Sequence, residues 1–173
     1  MRRVVLTGPE STGKTSLARR LAARYDAELS PEFVRDYAIA RGNRLGYDDN
    51  EAIGRGQMTA EDVAIARAQA RGASLVVHDT DLLSTVLYHD HYYDRFPPWM
   101  EEAARARRAD LYLLLDVDVP WVPDPARDRG DRREEMLDHF RRWLDAVGAR
   151  WVLISGHWAE RERRAVEAIQ HLL

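Results

Sequence analysis

Near the N-terminus stand Gly8-Pro9-Glu10-Ser11-Thr12-Gly13-Lys14-Thr15, spaced as G-x-x-x-x-G-K-[ST]. This pattern has one chemical use above all, the cradling of a polyphosphate. Glycines let successive backbone N–H groups turn inward at phosphate oxygens. The lysine reaches the β- and γ-phosphates, and the threonine hydroxyl ligates magnesium. Gly8, Glu10, Ser11, Thr12, Gly13, Lys14, Thr15 and the following Ser16 are therefore the expected contacts to ATP and Mg2+. Of the 26 basic residues, Lys14 alone is a lysine. A planar guanidinium is a poor substitute for a compact ammonium threaded between two phosphates.

Carboxylates at strand ends come next, because ligands in open α/β sheets sit beyond the carboxyl ends of the strands. Leu75-Val76-Val77-His78-Asp79-Thr80-Asp81 puts Asp79 where a strand stops, in position to hold magnesium beside Thr15. Asp81 is placed to contact the metal or an acceptor hydroxyl; a helix N-cap explains either aspartate equally simply. Glu32, after Ser30-Pro31, is a candidate base for an acceptor hydroxyl, against a first-turn glutamate favoured by the helix dipole. Arg35, one turn on, is a candidate clamp for the acceptor or its phosphate.

Between positions 118 and 134 the chain carries three prolines, one glycine and alternating charges that include four arginines. A lid of that composition can neutralise charge on a migrating phosphoryl group while excluding water. Arg127 and Arg132 are the chosen lid arginines, with Arg133 and Arg129 in reserve; a solvated loop of paired charges is the competing reading. Tyr88, Tyr92 and Trp99, with Tyr93 and Phe96, offer walls for a flat acceptor ring, although core packing accounts for them equally well. The six histidines show no metal-ligand spacing.

The elements that must position these groups follow from the apolar pattern. Arg3–Thr7, Ala27–Ser30, Leu75–His78, Leu111–Asp116 and Trp151–Ser155 read as strands. The runs at Leu75 and Leu111 are continuously apolar, as in strands buried on both faces. Leu17 with Leu21, then Leu137, Phe140, Leu144 and Val147, and finally Val166, Ile169 and Leu173, recur at helical spacing. Strands alternating with helices predict a three-layer α/β fold around a mostly parallel sheet.

At 173 residues the chain reads as one domain, with 45% apolar and 32% charged residues. A net charge of −3 gives no electrostatic basis for sequence-independent nucleic-acid binding. No apolar run approaches the roughly 18 residues of a membrane span. The absence of cysteine excludes disulfides and thiolate metal sites, and the cytoplasm is the expected location. A homodimer is left open. Guanine readout by Asn-Lys-x-Asp would need a second lysine, so a GTPase is disfavoured. The readings that remain are a small-molecule kinase and a nucleotide-dependent regulatory ATPase.

The whole set of motifs resembles the ribosylnicotinamide kinase domain of NadR-type proteins. The resemblance is carried by Gly8–Thr15, by Pro31-Glu32-Phe33-Val34-Arg35-Asp36-Tyr37, by Asp79-Thr80-Asp81, and by Pro120-Trp121-Val122 with Asp124 and Arg127. It implies a P-loop nucleoside-kinase-like fold of five parallel strands in the order 2-3-1-4-5. It also implies transfer of the ATP γ-phosphate to the 5′-hydroxyl of nicotinamide riboside, giving nicotinamide mononucleotide. Lys14 and Thr15 carry over as phosphate and magnesium residues, Asp79 as the metal-side acid, Glu32, Arg35 and Asp81 as acceptor-side groups, and Arg127 as a lid arginine. His157, in Ser155-Gly156-His157-Trp158, falls where related kinases place a loop beside the adenine. Such proteins also carry a nucleotidyltransferase domain, for which these residues have no room, so a stand-alone kinase is expected. Acceptor identity rests on pocket shape, which a sequence does not display, so a P-loop kinase of another nucleoside or small metabolite is the alternative.

Overall fold

Apolar runs continuous along both faces of a strand can be buried only in the middle of a layered sheet. In the computed structural model, which describes residues 1–121 and 132–173, β1 (Arg2–Thr7), β2 (Glu28–Ser30), β3 (Leu75–Asp79), β4 (Leu111–Leu115) and β5 (Trp151–Ile154) form one five-stranded sheet in the order β2-β3-β1-β4-β5. All neighbouring strands pair in parallel. The order is the one the family resemblance implies, and strand limits agree with the sequence reading to within a residue.

Helices cover both faces. On one side α1 (Lys14–Arg24) and α7 (Trp158–Gln170) pack through Leu17, Leu21, Ala165 and Ile169 onto Val4, Leu6, Val77 and Leu113. On the other, α4 (Leu82–Tyr93), α5 (Pro98–Ala106) and α6 (Arg133–Ala146) pack through Leu83, Val86, Met100, Leu137 and Phe140 onto Val5, Tyr112 and Leu114. Each fully buried leucine contributes roughly 1.5–3 kcal/mol over its exposed state. α2 (Phe33–Ala40) and the 21-residue α3 (Asn50–Ala70) complete the set at the β2 edge. At the C-terminus Leu172, not Leu173, reaches the core, because α7 stops at Gln170 and the phase changes.

Helix α3 gives almost no apolar signal, for a physical reason. Its buried positions are Asn50, Ile53, Gly54, Gln57, Glu61, Ala64 and Ala68, mostly small or polar. Gly54 and Gly56 make way for Met100 and Phe33, whose atoms lie 2.8 and 2.2 Å from where a Cβ would stand. Close packing here rests on missing side chains rather than on large apolar ones.

The sheet order reverses at β1, whose neighbours β3 and β4 run away to opposite edges. That reversal opens a crevice beyond the carboxyl ends of β1 and β3. The P-loop leaves β1 there, and Asp79 ends β3 there, in register with Leu6.

Candidate active site

The loop from Gly8 to Gly13 wraps over the end of β1 with positive φ at Gly8 (130°), Ser11 (54°) and Gly13 (88°). At Gly8 the conformation and the space both demand glycine, since a Cβ would come within 2.8 Å of the Leu115 carbonyl oxygen. At Gly13 a Cβ would meet the Trp158 ring at 3.0 Å. The Thr12 hydroxyl donates to the Pro9 carbonyl at 2.9 Å and braces the loop from within. Lys14 is buried, its Nζ donating to the Gly8 and Pro9 carbonyls at 2.8 and 2.7 Å. Thr15 and Ser16 sit in the first turn of α1, whose N-terminal end adds partial positive charge.

These features fit a polyphosphate. The loop conformation is that of an anion-binding nest, and the lone ammonium stands inside it. Arg133, the first residue of α6, is a further cation: Nη1 donates to the Val119 carbonyl at 3.0 Å, while buried Nε and Nη2 have no partner. Burial and the neighbouring Arg161 charge depress its pKa. Thr15 and Asp79 fit magnesium in the same sense. Among the described residues no three His, Asp or Glu side chains form a metal-binding group. Magnesium needs no such group, since one or two protein oxygens plus phosphate oxygens commonly hold it.

Beside the P-loop lies a cleft of about 300 Å³, lined in part by Glu10, Glu32, Arg35, Thr80, Tyr88 and Tyr92. Two tyrosines fasten it to the loop. Tyr88 Oη donates to the Gly8 carbonyl at 2.9 Å and Tyr92 Oη to Glu10 Oε1 at 2.7 Å. Their rings are nearly parallel, with centroids 6.4 Å apart. Glu32 stands at the N-cap position of α2 without a side-chain capping bond, and its Oε2 lies 3.9 Å from Arg35 Nε. The expected acceptor-side residues Glu32, Arg35, Tyr88 and Tyr92 are thus gathered in one cavity with Glu10 of the nucleotide loop.

Other expectations land elsewhere. Asp81 is not in the cleft lining but buried beneath it as the N-cap of α4. Its Oδ1 accepts from the Ser84 amide at 2.8 Å and the Ser84 hydroxyl at 2.7 Å, and its Oδ2 from Tyr112 Oη at 2.7 Å. Three donors thus meet the buried Asp81 carboxylate within the fold. Trp99 is outside the cleft too: its Nε1 donates to Glu51 Oε2 at 2.6 Å and Arg55 lies over its ring. Arg132 is exposed, with Nε and Nη2 on the Glu135 carboxylate at 2.8 and 2.6 Å. His157 caps α7, its Nδ1 accepting from the Glu160 amide at 3.3 Å. Arg127 and Arg129 lie outside the described residues.

Thr80, between the two aspartates, explains why the corner is built as it is. Its φ of 66° is left-handed, costly for a β-branched residue by about 1–3 kcal/mol. The Thr80 amide donating to the Leu6 carbonyl at 3.0 Å holds it there, with Gln57 Nε2 donating to the Thr80 carbonyl at 3.4 Å. The sharp corner sends Asp79 to the strand end and Asp81 down into the core.

Sequence reasoning missed Arg161. Fully buried on α7, it donates from Nε to the Gly156 carbonyl at 2.8 Å, from Nη1 to Thr12 at 2.8 Å and from Nη2 to Asp116 at 3.0 Å. Nη2 also pairs with the Asp118 carboxylate, which stays ionised below its usual range through the Gly156 amide and this guanidinium, against a burial effect of opposite sign. The available signal was its place on the apolar stripe Trp158, Arg161, Ala165, Ile169.

The comparisons with known proteins match this geometry. The model of an AAA domain family matches residues 3–161. The chain is 30% identical to the trifunctional NAD biosynthesis/regulator protein NadR of Escherichia coli (strain K12) over 180 aligned positions, covering 100% of the chain and 43% of NadR. It therefore spans less than half the length of that relative. A crystal structure of NadR protein in complex with NR superposes with a TM-score of 0.85 at 25% identity, over 98% of this chain and 50% of that one. A second, of NadR protein in complex with NAD and AMP-PNP, gives 0.79 at 25% identity over 98% and 49%. Because the family match reaches from β1 through the Asp79-Thr80-Asp81 corner to Arg161, the chain belongs to this AAA domain family of P-loop proteins.

Proposed function

We propose that this chain is a kinase that uses ATP and magnesium to phosphorylate the 5′-hydroxyl of nicotinamide riboside, giving nicotinamide mononucleotide for NAD biosynthesis. The observation that carries the reading is the shared wall: Glu10 belongs to the phosphate loop and to the cleft, fastened there by Tyr92. An acceptor in that cleft would lie next to the polyphosphate, which is what direct transfer requires and simple hydrolysis does not. The similarity to NadR, and NadR complexes with NR and with AMP-PNP, support the same acceptor and donor.

In this mechanism Lys14 and the P-loop amides hold the β- and γ-phosphates, and Thr15 and Asp79 hold magnesium, which when bound neutralises phosphate charge. Glu32 takes the proton of the acceptor hydroxyl as its oxygen bonds to the γ-phosphorus and the bond to ADP breaks. Arg35 steadies the acceptor, and Tyr88 and Tyr92 flank its flat ring.

The test is a panel of nucleosides incubated with MgATP, with product masses and ADP release measured. Phosphorylated nicotinamide riboside with acceptor-dependent ADP release is the expected result. Phosphorylated thymidine or deoxycytidine instead would overturn the acceptor. ADP release indifferent to any acceptor would overturn the kinase.

A further inference from the structure

The cleft contains two polar side chains that the transfer chemistry does not use and the fold does not satisfy. Asn50, the first residue of α3, is 1% exposed, yet neither Oδ1 nor Nδ2 has a hydrogen-bond partner. His89, on α4, is 5% exposed with its Nδ1 unpartnered. Both line the same cavity as Glu32 and Tyr88. A buried amide without partners costs about 1–3 kcal/mol per unsatisfied group, and the fold gains nothing from it. Asn50 supports no helix cap or loop through its side chain. What could satisfy it is a molecule in the cleft.

The chemistry of the amide specifies which molecule. One acceptor site of Oδ1 and one N–H of Nδ2 lie side by side in the amide plane, out of two of each. The complementary group must offer a donor beside an acceptor, as a primary carboxamide does. A carboxylate offers two acceptors and would leave Oδ1 facing another oxygen. Burial keeps the His89 ring neutral, with a pKa lowered to about 4, so it supplies one donor and one acceptor rather than a charge that would attract an acid.

We propose that Asn50 is the specificity residue of the acceptor cleft, pairing its amide with a ring carboxamide and so selecting the amide form of the nucleoside over the acid form. This rests on the nucleoside-kinase reading and adds to it the group that distinguishes one ribosylated pyridine from another. His89 lines the same wall as a neutral second partner.

The experiment compares nicotinamide riboside with nicotinic acid riboside as substrates of the wild type and of Asn50→Leu, alongside calorimetric titration of both ribosides and melting of the ligand-free proteins. The wild type should favour the amide. Asn50→Leu should raise KM for the amide riboside by about tenfold to hundredfold, lower kcat less than KM rises, leave KM for ATP unmoved and erase the preference. Its ligand-free melting temperature should equal or exceed that of the wild type, since a group without partners is removed; a structural asparagine would show the reverse. Should the leucine variant fail to fold, Asn50→Ser carries the same comparison.

Turnover of the amide riboside with KM unchanged in the variants sinks the Asn50 assignment alone. Amide-selective binding that needs Asn50, without phosphoryl transfer, sinks the kinase reading and sustains this one. Binding of neither riboside to the wild type overturns both.

Discussion

Arg161 on α7 and Thr12 on the P-loop, 149 positions apart, are joined by a 2.8 Å hydrogen bond from Nη1 to the Thr12 carbonyl. The same guanidinium holds Gly156, Asp116 and Asp118, so one side chain ties the phosphate loop to the ends of β4 and β5. Removing it takes this donor from three carbonyls and the guanidinium partner from the Asp118 carboxylate, which keeps the Gly156 amide. Arg161→Ala should lower unfolding free energy by about 3 kcal/mol or more and weaken ATP binding, because Thr12 loses its brace. Urea denaturation and calorimetric ATP titration read the two effects separately. Arg161→Lys should recover little, a single ammonium being unable to span four acceptors.

Lys14 makes a sharper claim. Its ammonium is buried against two carbonyls of its own loop, so the fold has no apolar use for it. Lys14→Ala should cut turnover by orders of magnitude while the melting temperature moves by only a few degrees, since the loop remains braced by Thr12. Turnover within tenfold of the wild type would remove the lysine from the mechanism.

Asp79 and Asp81, two residues apart, should separate cleanly. Asp79→Asn should raise the magnesium concentration needed for half-maximal turnover and cost little stability. Asp81→Ala deprives the Ser84 amide and hydroxyl and Tyr112 Oη of their acceptor, and should cost about 2–4 kcal/mol. Asp81→Asn should cost less than Ala, because an amide oxygen still accepts from Ser84. The magnesium titration and the denaturation midpoint, measured on both proteins, should sort them in opposite directions.

How much of this was legible beforehand depends on how local each signal is. The P-loop and the place of Asp79 at the end of β3 were readable because both are written in adjacent residues. The placement of Asp81 as the N-cap of α4 was not readable, since periodicity cannot tell which way a side chain leaves the corner at Thr80. That direction is set by Leu6, Gln57 and Tyr112 from three distant elements. The place of Trp99 was hidden for the same reason: an aromatic near the tyrosines in sequence packs outside the cleft lining and meets Glu51 and Arg55. Asn50 and Arg161 gave no motif at all, although Asn43 and Asn50, the two asparagines of the chain, both line the cleft.

Behind the Asp79-Thr80-Asp81 corner, Glu61 imposes a pH dependence whose direction can be worked out. Its Oε1 accepts from the Leu82 amide at 2.7 Å, and its Oε2 from Arg107 Nε and Nη2 at 3.2 Å. Burial first, and the Asp81 charge second, raise its pKa from 4.5 to about 7, against the opposing pull of Arg107. Below pH 4.5 the carboxyl is protonated folded and unfolded alike. Between 4.5 and about 7 the unfolded chain releases the proton and the folded chain keeps it, so stability falls as pH rises. Above that range the loss is complete and constant. Glu61→Gln keeps an oxygen for the Leu82 amide, while Arg107 keeps Asp62. The variant should therefore match or trail the wild type near pH 4.5 and gain on it by roughly 2–3 kcal/mol by pH 8. Urea midpoints of the two proteins across that range should diverge steadily and then run parallel; curves parallel throughout would place the proton elsewhere.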